Sequence, residues 1–381
     1  MKITTVETFV LSNRLAMVKI STDEGVSGWG ECTLENWVRT VTAAVDRMAE
    51  HLLGADPLPI TRHWQVLARG GYYRGGPVLS SAVAGLDQAL WDLKGRWLSQ
   101  PVHELLGGPV RDQARLYAHA NSPAAMGDPQ RALRHTAAGF DLIKVAPPLA
   151  LDYLEKPGVV RRLLSDLSAV RDAVGPDVDL AVDLHGRASV PLARRLLPGL
   201  AELGVAFAEE PVRPEFSGFL ADLVQASGVP IATGERLYSR TEFRPVLEAG
   251  VAIVQPDLAH AGGITECFRI AAQAETYDAV IAPHSPIGPL ALAACLQLAF
   301  AVPNFYAQEQ TLNLHLEPAP AAALLRDATS LTPIGGHIPR LTGPGLGVDI
   351  DEDAVRAAVQ LGRLEPGSPT WTYPDGSFAE W

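Results

Sequence analysis

Leu180-Ala181-Val182-Asp183-Leu184-His185 is an apolar run that closes on an acid and an imidazole, and the chain repeats this form. Similar runs stand at Leu142–Val145, Leu180–Leu184, Val205–Ala208, Val229–Ala232, Ala252–Val254 and Ala279–Ile281, with helix-length segments between them. A strand that is apolar without alternation is buried on both faces, as in a parallel sheet covered by helices. Units of strand and helix spaced at about 25 residues predict an α/β-barrel, which needs roughly 250 residues for eight units.

Upstream of about residue 115 the pattern is different. Lys2–Leu11, Met17–Ser21 and Val26–Glu31 predict a small antiparallel sheet, turned at Asp23-Glu24-Gly25. From Ala82 to Trp97, the residues Val83, Leu86, Leu90, Leu93 and Trp97 form one helical stripe. Gly107-Gly108-Pro109 closes this region. After about residue 340, Gly343, Pro344, Gly345 and Gly347 punctuate the chain, followed by Trp371, Tyr373 and Trp381. That tail is expected to fold back onto the N-terminal region. The expected organisation is an α+β capping domain at 1–114, a barrel at 115–340 and a returning C-terminal segment at 341–381.

Composition narrows the function. The 381 residues carry 31 Lys plus Arg against 43 Asp plus Glu, a net charge of −12 with no basic block, which argues against nucleic acid. Apolar residues make up 47%, enough for a sizeable core. Cys32, Cys267 and Cys295 are few, odd in number and far apart, so no disulfide framework is expected and a reducing compartment fits. The N-terminus shows no apolar signal segment. The longest apolar run, Leu290–Val302, includes Gln297 and is too short to span a bilayer. The expectation is a cytoplasmic enzyme without a membrane partner.

The polar residues of the barrel half are systematic. The runs end in Asp183 with His185, then Glu209, Glu235, Asp257, His284 and Glu309, at steps of 26, 26, 22, 27 and 25 residues from Asp183 onward. One such group per unit, at the C-terminal end of each strand, places them all on the rim where barrel enzymes keep their active sites. A lone acid at a strand end would cap the next helix. Three in successive units would repel one another unless a cation lay between them. Asp183, Glu209 and Glu235 are hard oxygen donors, a set that suits Mg²⁺. Asp257 and His284 fall on consecutive strands, and a carboxylate on one imidazole nitrogen raises the basicity of the other, which makes a general base. His185 lies two residues beyond Asp183 and points to the same side, as a metal ligand, a second base or a general acid. The glycine-rich stretch Gly70–Gly76 does not sit between a strand and a helix, so it is no dinucleotide loop. Ala261–Glu266 is expected to open a helix, and no GxSxG, HExxH or GxxxxGK[ST] motif is present.

These residues resemble the enolase superfamily, mandelate racemase branch, in which a Lys or His base works with Mg²⁺. The helix Ser81–Gly95 is similar to that family's N-terminal signature. Tyr73–Pro77, Asp183–Arg187, Gln255–Glu266, Ala282–His284, Ala291–Cys295 and the closing Ala379-Glu380-Trp381 resemble the galactonate dehydratases of the branch. The resemblance implies a (β/α)7β modified TIM barrel under an α+β cap, acting on a small sugar acid as a homo-oligomer. It implies Mg²⁺ on Asp183, Glu209 and Glu235, a His284–Asp257 base, His185 as the acid, and Glu309 as a stabiliser of the enolate. Glu309 would have to be protonated to donate a hydrogen bond there. Ala146 stands where such enzymes carry a polar residue, often a second lysine base. That segment, 146–157, and residues 32–37 depart from the relatives and are expected to select the substrate.

Other functions fit the sequence less well. A racemase or epimerase on the same scaffold would use His185 as a second base. An amidohydrolase barrel would want an HxH on an early strand, which is missing. An inactive binding protein would not need the complete set of acids and histidines.

Overall fold

Three antiparallel strands open the chain: β1 (Ile3–Ser12), β2 (Leu15–Thr22) and β3 (Ser27–Glu31), paired in that order. The computed structural model describes residues 1–148, 151–310, 320–360, 371–373 and 375–379. Helices α1 (Val38–Ala49), α2 (Ile60–Arg69), α3 (Gly76–Leu98) and α4 (Val102–Leu105) complete the cap. β3 lies directly on α3. A Cβ at Gly28 would collide with the Ala89 carbonyl, and one at Gly30 with the Gly85 carbonyl, so glycine alone allows this approach.

The second unit is a barrel. After β4 (Gln113–Arg115) come β5 (Ala118–His119), β6 (Leu142–Val145), β7 (Asp179–Asp183), β8 (Phe207–Glu209), β9 (Ile231–Thr233), β10 (Ile253–Val254) and β11 (Val280–Ile281). β5 to β11 form one parallel sheet in sequence order. Parallel bridges from Phe305 to Ile281 and from Gln308 to Leu116 close it, so residues 305–308 act as the eighth strand. The crossover helices are α5 (Pro129–Ala137), α6 (Pro157–Val174), α7 (Val190–Glu202), α8 (Leu220–Ser227), α9 (Arg240–Glu248), α10 (Gly263–Glu275) and α11 (Pro289–Ala301). The chain therefore folds as a modified TIM barrel with a capping domain.

Local chemistry sets the helix starts. The Asp128 carboxylate accepts from the Gln130 and Arg131 N–H groups ahead of α5, and Ser189 accepts from Leu192 ahead of α7. Inside the barrel, Tyr117, Leu142, Ala181, Phe207, Ala232, Ile253, Ala282 and Ala307 pack as one buried layer. The larger core lies between the strands and the surrounding helices.

β8 to β11 begin one or two residues later than their apolar runs, and β8 and β9 also end one residue later, whereas β7 runs one residue earlier at both ends. The run Val205–Ala208, for example, becomes Phe207–Glu209, because the acid itself enters the ladder and Glu209 pairs with Asp183. β5 and the closing segment have no such run and escaped sequence reading.

The C-terminal part divides in two. β12 (His337–Pro339) pairs with β4, and α12 (Glu352–Gln360) packs on β1, held by Lys19–Glu352 at 2.7 Å and Arg356–Glu7 at 3.2 Å. The hairpin β13 (Trp371–Thr372) and β14 (Phe378–Ala379) goes elsewhere. Arg187 of the barrel stacks on Trp371, and the Tyr373 hydroxyl donates to the Leu151 carbonyl at 3.1 Å. These two aromatics thus meet barrel loops. Glu380 and Trp381 lie outside the described residues.

Cap and barrel are joined by buried polar groups. Asp87 on α3 accepts from the Thr265 N–H at 2.9 Å and its hydroxyl at 2.6 Å. Gln88 donates to the Leu258 carbonyl at 2.8 Å, and Glu31 accepts from the Ala291 N–H at 3.0 Å at the start of α11. Burial raises the Asp87 and Glu31 carboxyls to about 7. A carboxyl whose folded pKa exceeds its unfolded value near 4 stabilises the fold fully below pH 4, and that contribution is lost as pH rises through 7. The melting temperature is therefore expected to fall between pH 5 and 8. Asp87→Asn, which keeps an acceptor for Thr265, should flatten this slope; an unchanged slope in thermal melts would count against the seam as its source.

Candidate active site

The strand ladder brings the polar groups to one mouth. Asp183 and Glu209 end β7 and β8, and Glu235 lies two residues beyond β9. Single oxygens of the three carboxylates lie within 4.8 Å of one another, the one such cluster among the described residues. Asp257 and His284 follow β10 and β11, and His284 Nδ1 lies 2.7 Å from Asp257 Oδ2. Asp257 is fixed from behind by the Ala259 N–H, which donates to Oδ1 at 2.6 Å. The other nitrogen, His284 Nε2, faces the mouth at 3.8 Å from both Glu235 and Glu309. His185 stands three intervening strands away from that base, with Nε2 at 3.1 Å from Asp183. The residues expected from sequence thus gather around one centre, with imidazoles on opposite sides of it.

Two rim residues have strained backbones. His185 has φ of 48° and Glu210 has φ of 37°. A non-glycine residue in this region costs about 1–3 kcal/mol and is kept only where surrounding contacts fix it. Here the His185 N–H donates to Asp183 Oδ1 at 2.9 Å, and Glu210 accepts two bonds from Arg236 at 2.9 and 2.6 Å.

Sequence reading missed the centre of the cluster. Lys144, buried on β6, lies 3.1 Å from Asp183, 2.9 Å from Glu209 and 2.8 Å from Glu309. His119 on β5 adds a contact to Glu309 at 3.1 Å. The signal for Lys144 was present: a lone cation inside an apolar run that is buried on both faces needs counter-charges.

The electrostatics show what the site lacks. Burial would raise Glu309, but Lys144, His284 and His119 hold it well below the usual carboxylate range. That direction runs against the expectation of a protonated Glu309; the donor beside it is Lys144. Burial would raise Asp183 too, but His185 and Lys144 hold it down to about 2. Burial and the neighbouring acids push Glu209 well above its ordinary value, and burial with Glu210 pushes Glu235 to about 8. Glu209 Oε2 is buried with no hydrogen-bond partner. One lysine cannot balance this many acids. A hard cation among Asp183, Glu209 and Glu235 fits the donor set and supplies the missing charge.

Residues 1–107 match the mandelate racemase/muconate lactonizing enzyme N-terminal domain, and residues 129–354 match the enolase C-terminal domain-like family. The chain belongs to the enolase superfamily. Among curated relatives, a D-galactonate dehydratase of Ralstonia nicotianae is 46% identical over the full length of both chains. A D-galactonate dehydratase of Cronobacter sakazakii is 45% identical, also over the full length of both. Among solved structures, an enolase from Agrobacterium radiobacter with sodium and L-malate bound superposes with a TM-score of 0.89 at 31% identity, covering all of both chains. As an enolase-superfamily enzyme, the chain has its cap tied to the loop that bears Asp257. Ser81 on α3 meets His260 Nδ1 at 3.1 Å, and His260 Nε2 lies 3.7 Å from Asp257. No described helix is long and apolar enough to cross a membrane.

Proposed function

We propose that the chain dehydrates an aldonate, D-galactonate or a close relative, to a 2-keto-3-deoxy acid with the help of Mg²⁺. The observation that carries the reading is the His284–Asp257 pair facing His185 across a carboxylate cluster. The class of enzyme, a sugar-acid hydro-lyase, comes from the two full-length relatives.

Asp183, Glu209 and Glu235 would hold the metal. Bound there, Mg²⁺ would supply Lewis acidity to the substrate carboxylate and lower the cost of the charge that builds on it. His284 Nε2 takes the C2 proton, with Asp257 holding the ring and the tautomer. Glu235 and Glu309 raise His284 against its burial. A cation held by Glu235 would offset that charge and leave the His284 nitrogen free to act as a base. Lys144 keeps a positive charge beside Glu309 where negative charge develops. His185 hands a proton to the C3 hydroxyl, which leaves as water, and the resulting enol tautomerises to the keto acid. Burial lowers His185 to about 4, so it must first gain a proton, which a substrate carboxylate brought beside it favours.

The test is a Mg²⁺-dependent screen of aldonic and aldaric acids, with semicarbazide detection of 2-keto acid and an EDTA control. One variant separates the steps. His185→Asn should still exchange the C2 proton with deuterium while keto-acid formation falls by about 10²-fold or more. Epimer without keto acid would move the reading to a two-base epimerase. The homo-oligomer belongs to the same proposal, and light scattering tests it.

A further inference from the structure

One large cleft lies away from the active site. It lies on the seam between the cap helices α1 to α3 and the barrel helices α9 and α10, with a volume of about 1040 Å³. None of the seven residues assigned above lines it. Six arginines do: Arg47, Arg69, Arg74, Arg240, Arg244 and Arg269, against only Glu242 and Glu266 among the acids. In a chain of net charge −12 this is a local inversion of sign.

Three of the cations already have partners. Arg47 pairs with Glu50, Arg244 with Glu248 at 2.7 Å, and Arg240 with Glu266 at 2.8 Å. Glu242 is used within its own element, where it accepts from the Tyr238 N–H at 2.8 Å and the Ser239 hydroxyl at 3.0 Å. Among the described residues, no carboxylate lies within hydrogen-bonding distance of Arg69, Arg74 or Arg269. The nearest to Arg269 is Glu266, at 3.8 Å. Arg69 and Arg269 both lie over the buried Trp64 ring, at 5.6 and 4.9 Å from its centre. Trp64 itself is pinned by donating to the Gly262 carbonyl at 2.9 Å. Burial and the facing Arg240 cation push the Arg269 guanidinium below its ordinary value, and Arg69 adds to this. Two guanidinium groups crowded on a rigid aromatic, with one acid at 3.8 Å that is already bonded to Arg240, leave a surplus of positive charge.

We infer that this cleft is a binding site for a small phosphate-bearing anion, separate from the dehydration centre. Guanidinium forks match phosphate oxygens two at a time, and the volume leaves room for an organic body beyond the phosphate. The walls are shared with the catalytic loops: Tyr238 and Arg240 follow Glu235, and Gly262 and Glu266 follow Asp257. The inference does not depend on the proposed reaction.

Calorimetric titration of the whole protein with inorganic phosphate, at constant ionic strength against chloride, tests it. Saturable binding is expected with Kd near or below about 1 mM. Loss of one charge-assisted hydrogen bond should weaken it at least about tenfold in the exposed Arg74→Ala and in Arg269→Gln. The His284→Asn variant should bind phosphate as the unmodified chain does. No binding, equal binding in both arginine variants, or loss of binding in His284→Asn would each overturn the assignment. So would an Arg74→Glu protein that falls apart by light scattering while the parent ignores phosphate, because a second copy would then fill the cleft.

Discussion

His284→Asn is expected to abolish keto-acid formation and C2 deuterium exchange together. Asn keeps a polar group at the Asp257 end of the site but has no nitrogen that can take a proton. A positioned general base contributes about 10²–10⁴-fold. The loss should reach the upper part of that range, because the two other groups near Nε2, Glu235 and Glu309 at 3.8 Å, are already committed to charge balance around the cluster. The fold should be unaffected, since the side chain is anchored by a single bond at 2.7 Å. Deuterium exchange at C2 read by NMR is the decisive measurement. Exchange that survives at the parent rate would remove His284 from the role of base.

The second large effect is on Lys144. Its ammonium is buried and touches three carboxylates within 3.1 Å. Lys144→Met leaves those acids facing one another without their cation. Removing one member of a buried ion pair typically costs about 3–5 kcal/mol. Urea midpoints taken in EDTA should fall accordingly, while Mg²⁺ should restore part of the stability by offsetting charge on Asp183 and Glu209. Activity should stay lost even in saturating Mg²⁺, because the positive charge beside Glu309 is gone. A midpoint that matches the parent in EDTA would show that the acids are neutralised in another way.

What could be read from sequence follows from burial. β6 to β11 were visible because strands buried on both faces leave unbroken apolar runs. The rim acids stood out because they recur at or just beyond the ends of successive runs, at a nearly constant step. β5 was invisible because only Ala118 and His119 pair there, and the closing segment, Phe305 to Gln308, makes single bridges with no run to mark it. Lys144 sits inside the run Leu142–Val145 without standing out as a functional group, since nothing local shows that three acids from other strands converge on it. Charge state is a property of the assembled cluster. Glu309 alone would be pushed up by burial, and only Lys144 and the two imidazoles beside it, His284 and His119, turn that direction round. The contacts of the C-terminal hairpin were not legible for a related reason: aromatic residues announce burial without saying against what.

The pairing of Asp183 with Glu209 in the β7–β8 ladder has a consequence for how such an enzyme can change. Neighbouring strands are held about 4.7–4.9 Å apart by their main-chain bonds. The separation of the first two acids is therefore a property of backbone architecture, and no loop sets it. Insertions, deletions or wholesale replacement at 32–37 or 146–157 leave that spacing untouched. Were those segments to select the substrate as expected, they could be exchanged to meet a new sugar acid while the reactive centre is inherited unaltered.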